Sequence, residues 1–398
     1  MPLKVLLLTH RIPYPLQDGG AIVTNFMISG FLQHGVQLSL LSLNTSKHFV
    51  DINTLPKQYQ ALHYFETVYI DNKITPIGAF SNYLGAESYH TSRFKSATLN
   101  EKLKLVLQET NFDIVILDNI FLQDTIATIR QYSKAKIACR IHNIEHLIWE
   151  KLAHNTKNWI KKKYLVEQAQ RLKEIELKTL QQVDVLLLLN EIEGVSLQAM
   201  GVETAQYLMP FGIDIAENNS AIQWSANTCF HLASMNWLPN AEALDWFLQK
   251  IFPKVLQKKP NYILHIGGKH LPNAYIKWQD KNIIVHQSVE DGQWFMQVHG
   301  VCIVPLLSGA GIRVKVLEAM SLGVPVISTS LGASGLQVQP GVDILLANTP
   351  HEFADALLTN EMLLQKIGQQ AKQTVLQHYN KTKIIQEATL FLSKFTNA

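Results

Sequence analysis

The 398 residues predict an α/β protein built from two doubly wound domains, each a parallel sheet with helices on both faces. Three observations carry that reading. Short, unbroken apolar runs recur along the chain, as strands buried on both faces require. Helical stretches separate them, so successive strands are joined by crossovers. The pattern stops at Met209-Pro210-Phe211-Gly212-Ile213-Asp214, where Pro and Gly punctuate the chain, and then starts again.

The first domain spans 1–209. Its opening strand is 4–9, followed by a loop holding Pro13, Pro15, Gly19 and Gly20 and by a helix at 21–34 that Gly35 ends from a C′ position. Further strands are predicted at 37–43, 114–117, 136–141 and 185–189. A helix is predicted at 121–131 and a long one before 185. The second domain, 210–380, has predicted strands at 228–232, 262–266, 283–286, 301–304 and 324–328, with helices at 241–252 and 315–321. In the tail, 381–398, Ile384, Ile385, Ala388, Leu390, Phe391 and Leu392 mark a final helix that is expected to pack back on the first domain.

Composition bounds the function. With 47% apolar and 17% charged residues the chain can fill large cores, which excludes wholesale disorder. Lys and Arg total 35 against 32 Asp and Glu, too even a balance for a bulk polyanion binder, so no nucleic-acid partner is expected. Cys139, Cys229 and Cys302 lie far apart, each in a predicted strand, where a free Cys acts as a small hydrophobe rather than a disulfide or zinc ligand. No apolar run approaches the ~20 residues that span a bilayer. The amino-terminal run reads as a strand rather than a signal peptide, so a cytoplasmic protein is expected.

Ligands of open α/β sheets bind beyond the carboxyl ends of the strands. Three loops there carry candidate chemistry. The first places Gly19 and Gly20 at a helix start, where bare N–H groups suit an anion. The second follows strand 301–304 and holds Gly309, Gly311 and Ile312, then Arg313, Lys315 and Glu318. Two cations in the first turn of a helix oppose its dipole by about 0.3–1 kcal/mol, a conflict that a bound diphosphate relieves. The third is His142, directly after strand 136–141, with Glu145 and His146 close behind. His142 has two open readings, a polar contact to a bound ligand and a cap on the following helix. No further ligand accompanies His142 and His146, so no metal is expected there.

The segment Leu317-Glu318-Ala319-Met320-Ser321-Leu322-Gly323-Val324-Pro325-Val326-Ile327 resembles the donor-nucleotide motif of GT-B-type glycosyltransferases, in particular glycosyltransferase family 4, the "group 1" transferases. The opening Leu-Leu-Leu-Thr-His strand with its Gly-Gly loop, and the Met209–Asp214 segment, are similar to the family's other motifs. The resemblance spans nearly the whole chain. It implies two Rossmann-like domains facing a central cleft, the first for the acceptor and the second for a nucleotide-diphosphate sugar. It also implies retaining transfer without metal or cofactor, and a glycan or lipid-linked acceptor. By the same resemblance Glu318 bonds the donor ribose and His142 lies near the transferred sugar.

Two departures stand out. The family's paired acids need a carboxylate eight residues before Glu318, where this chain has Ala310. The loop 233–240, where the family often places an Arg and a Lys, has no cation, though Ser234 and Asn236 can hydrogen-bond a phosphate. Arg313 and Lys315 are expected to supply the missing charge. A sugar-nucleotide epimerase and an inactive sugar-binding scaffold share the fold, but retained Arg313, Lys315 and Glu318 favour the transferase. Finally, 157–178 holds seven Lys and Arg against three Glu, interleaved with Trp159, Ile160, Tyr164 and Leu165. Such a basic amphipathic helix suits either an anionic membrane surface or a solvated face packed on the sheet.

Overall fold

The computed structural model describes residues 2–16, 18–75, 78, 82, 85, 87–215, 227–309 and 313–397. The chain forms two compact units, one of Met1–Phe211 with Thr382–Ala398, the other of Gly212–Lys381.

Among the described residues the first unit holds seven strands: β1 (Lys4–Thr9), β2 (Gln37–Thr45), β3 (Tyr64–Ile70), β4 (Ile114–Leu117), β5 (Lys136–Ile141), β6 (Val185–Leu188) and β7 (Ala205–Leu208). They run parallel in the order β3-β2-β1-β4-β5-β6-β7. Strand order reverses at β1 and β4, so the loops after these two strands meet at a switch point. Leu6, Leu7 and Leu8 of β1 are fully buried, each worth about 1.5–3 kcal/mol of apolar burial.

The last helix, Lys381–Asn397, belongs mostly to this unit. Ile385 presses on the helix Gly19–Gln33 where Gly30 leaves room, since a Cβ there would lie 2.5 Å from the Ile385 side chain. Phe391 stacks on Tyr207 at 4.0 Å.

The second unit holds β8 (Thr228–Leu232), β9 (Ile263–Gly267), β10 (Ile283–Val285), β11 (Val301–Val304), β12 (Val326–Ser328) and β13 (Leu345–Leu346) among its described residues. Their order, β10-β9-β8-β11-β12-β13, is again parallel, with its switch point between β8 and β11. Phe247, Phe252, Tyr262 and Phe353 fill the core beneath β9 and β11. Cys139, Cys229 and Cys302 are free and buried in β5, β8 and β11.

Several boundaries differ from expectation for physical reasons. β3 and β7 lie at sheet edges and carry exposed or polar residues, so neither shows an unbroken apolar run. Residues 121–131 split into a 3₁₀ turn at Ile120–Leu122 and the helix Thr125–Tyr132. The helix expected at 241–252 starts earlier, at Leu238, because Pro239 suits a first turn. It then widens into a π turn at Phe247–Ile251 before Pro253, which lacks the N–H for an ordinary helical bond. No described helix is long and apolar enough to cross a membrane.

Candidate functional site

In the second unit the polar residues gather beyond β8 and β11. Gly268 makes the approach of loops possible: its φ is +135° and a Cβ would lie 1.8 Å from the Ala233 carbonyl oxygen. Ser234 Oγ donates to Asn236 Oδ1 at 2.7 Å, and Asn240 Nδ2 donates to the Ser234 carbonyl at 2.8 Å. That leaves Asn240 Oδ1 to accept from Lys315 Nζ at 3.0 Å. The sequence reading missed Asn240, which the early start of the helix at Leu238 places in its first turn.

Gly309 has φ +104°, and a Cβ on it would sit 2.6 Å from the Trp237 ring. The helix expected at 315–321 spans Val314–Ser321, with Arg313 as its N-cap. Arg313 is therefore not in the first turn. Its guanidinium lies over the Trp237 ring at 5.3 Å, and Nη2 donates to the Gly309 carbonyl at 3.2 Å. Gly311 and Ile312, with position 310, lie outside the described residues.

Lys315 and Glu318 share one helix face, three residues apart, yet Lys315 bonds Asn240 while Glu318 lines a pocket. The pocket measures about 460 Å³ and is walled by Leu232, Met296, Glu290, Asp291, Gly292 and Gln293 besides Glu318. Asp291 caps the helix Gly292–Val298 through the N–H groups of Gln293 and Trp294. Burial governs the charges here. It pushes the Lys315 ammonium down to about 8, helped by neighbouring Arg313, and holds Arg313 below its usual range. It raises the Glu318 carboxyl. Two cations are thus held close together at the cost of desolvation.

In the first unit the loop after β1 folds over an ion pair between Arg11 and Asp18, whose Oδ1 also caps the first helix through Ala21 N at 3.1 Å. Gly19 and Gly20 open that helix; a Cβ on Gly19 would meet nothing within 4 Å. The Thr24 hydroxyl, with one proton to donate, lies 3.0 Å from the Gly20 carbonyl and 2.8 Å from Asp118 Oδ2. Asp118, 2% exposed and directly after β4, in turn holds His142 Nε2 at 3.0 Å. The structure thus joins the Gly19–Gly20 loop to His142 through two residues that the sequence reading missed. Asp118 had a signal, its position at the carboxyl end of a strand.

His142 does not cap the following helix. Buried Glu176 does so, accepting from the N–H groups of Glu145 at 2.9 Å and His146 at 3.0 Å and pairing with His146 Nδ1 at 2.6 Å. His142 and His146 therefore serve separate carboxylates.

Two parallel α/β units, the second with Glu318 at a pocket and Arg313 and Lys315 on the same short segment, have the fold of GT-B glycosyltransferases. Residues 226–360 match the family described as Glycosyl transferases group 1. The chain is 24% identical over 407 residues, 96% of this chain and 97% of the relative, to an uncharacterized 44.6 kDa protein in the cps region of Klebsiella pneumoniae. Among solved structures it is similar to HepE of Anabaena in complex with UDP, with TM-score 0.66 and 13% identity over 98% of this chain and all of HepE. It is also similar to sucrose-phosphate synthase of Thermosynechococcus elongatus, with TM-score 0.67 and 14% identity over 100% of both chains. At those identities the two structural likenesses concern fold alone.

Proposed function

We propose that the protein moves a sugar from a nucleotide-diphosphate sugar to a glycan or lipid-linked acceptor, with retention of anomeric configuration and without a catalytic metal or cofactor. The observation that carries this reading is one short helix. Arg313 stands at its start, Lys315 follows in its first turn, and Glu318 comes one turn later at a 460 Å³ pocket. The nucleoside enters the pocket with its ribose on Glu318, and the diphosphate lies at Gly309, Arg313 and Lys315, with Ser234 and Asn236 as further donors. Those cations neutralise the leaving diphosphate, the task a metal performs elsewhere. The UDP bound by HepE supports uridine as the base.

The second unit is the donor unit in this reading, and the first takes the acceptor. There Asp118 holds one ring nitrogen of His142 and leaves the other for a sugar hydroxyl or phosphate oxygen, as a carboxylate orients imidazole in other catalytic pairs. The Gly19–Gly20 loop stands beside this pair. The relative from a cps region supports a place in polysaccharide synthesis. Trp159 and Ile160 are 74% and 62% exposed beside Lys161, Lys162 and Lys163, which supports contact with an anionic membrane from the cytoplasmic side. Flotation with anionic vesicles at low salt tests the contact, and protein left at the bottom of the gradient removes it.

The test of the main reading is a thermal-shift panel of nucleotide sugars, because a ligand of the native state raises stability by mass action. The stabilising donor is then supplied, radiolabelled in its sugar, with a bacterial membrane-lipid and glycan extract. Label in the extract supports transfer. Free sugar or an epimer released without extract would mark the non-transferring enzyme, and no shift with any donor would leave only a scaffold.

A further inference from the structure

We propose that His265, His286 and His299 form a binding site for a divalent transition-metal ion of the zinc type, apart from the transfer chemistry. Strand pairing builds it. In the parallel register Ile284 of β10 stands opposite His265 of β9, so both side chains share one face of the sheet. His286, two residues on from Ile284, returns to that face. The helix Gly292–Val298 covers the same face, with Phe295 edge-on to His286 at 4.9 Å, and ends at His299. Three elements thus deliver three imidazoles to one spot.

The geometry suits a metal. His265 Nδ1 and His286 Nε2 are 3.1 Å apart, and one ligand nitrogen from each of the three rings lies within 4.8 Å of the others. Zn–N bonds of about 2.0–2.1 Å at a tetrahedral angle place nitrogens roughly 3.3 Å apart. Rotation of the rings, of which His265 and His299 now stack at 3.8 Å, closes the set to that spacing.

One further feature points to a ligand. His299 Nε2 is sealed from solvent and has no hydrogen-bond partner among the described residues. No carboxylate belongs to the cluster. A neutral three-imidazole set selects zinc, nickel or copper over magnesium or calcium. The ion would tie edge strand β10 to the carboxyl end of a helix whose first residues, Gly292 and Gln293, line the pocket.

The test uses the full chain, freed of metal by dialysis against a chelator and titrated with zinc alone at pH 7.5. One ion per chain with a Kd of roughly 1 μM or tighter, and a rise in Tm with zinc, are expected. The double variant His286→Asn, His299→Asn should weaken binding by about 100-fold or more, whereas His270→Asn with His351→Asn should bind as wild type. Cobalt in place of zinc gives an independent reading on the unaltered chain, with the intense visible bands of a tetrahedral ion expected. No zinc binding by the wild type, equal binding by the double variant, or the weak spectrum of octahedral cobalt would each overturn the site.

Discussion

Raising the pH through 8 is expected to release a nucleoside diphosphate from this protein. Lys315 titrates at about 8 because burial and Arg313 disfavour its charged form. A bound diphosphate favours that form and raises the value, while the terminal phosphate, with a pKa near 6, stays ionised throughout. At pH 7 about nine-tenths of the free sites carry the charge, and at pH 9 about one-tenth. Kd should therefore rise about tenfold between those values, or roughly 1.4 kcal/mol. Unfolding does not explain such a loss. Between about 8 and the ordinary 10.5 the unfolded chain binds more protons at this lysine than the native one, so this group makes the fold more stable as pH rises there. Calorimetric titration with UDP at pH 7, 8 and 9 measures the effect. Lys315→Arg stays charged throughout this range and should flatten the profile. A flat wild-type profile, or the same slope in Lys315→Arg, would refute the reasoning.

Three other outcomes follow from the geometry. Asp118→Asn should lower kcat by about 10²-fold or more by letting the His142 ring turn, with UDP affinity unchanged; steady-state kinetics beside a UDP titration separates the two. Glu176→Ala strands two helix N–H groups and buried His146, and should cost about 3 kcal/mol, read as a lower urea midpoint at constant m. Gly268→Ala forces a Cβ onto the Ala233 carbonyl at a positive φ and should cost at least about 2 kcal/mol, lowering Tm before any ligand is added.

Much of the fold was legible in the chain because its strands are buried on both faces. β1, β4, β5, β8 and β11 are short, mostly apolar and buried, and their bounds match those read from sequence. Edge strands β3 and β7 were not legible, since half-solvated strands mix polar with apolar residues. The helix Val314–Ser321 was legible because Arg313, Lys315 and Glu318 lie close together along the chain, directly after a glycine-bearing loop. The His142 pair was only half legible: nothing in the sequence joins residue 142 to Asp118, 24 positions earlier, until β4 and β5 lie side by side.

The sequence by itself determined the α/β class, the break near residue 210, and which short segments carry charge and glycine. Those properties are local, set by periodicity and spacing within about a dozen residues. Tertiary structure decided the partners. It turned Lys315 to Asn240 and freed Glu318 for a pocket, placed Arg313 over Trp237, and made Glu176 the cap that His142 was free to be. It also assembled His265, His286 and His299, whose spacing along the chain matches no metal motif. Such contacts depend on strand register and on which helix covers which face, and these exist only once the sheets have formed.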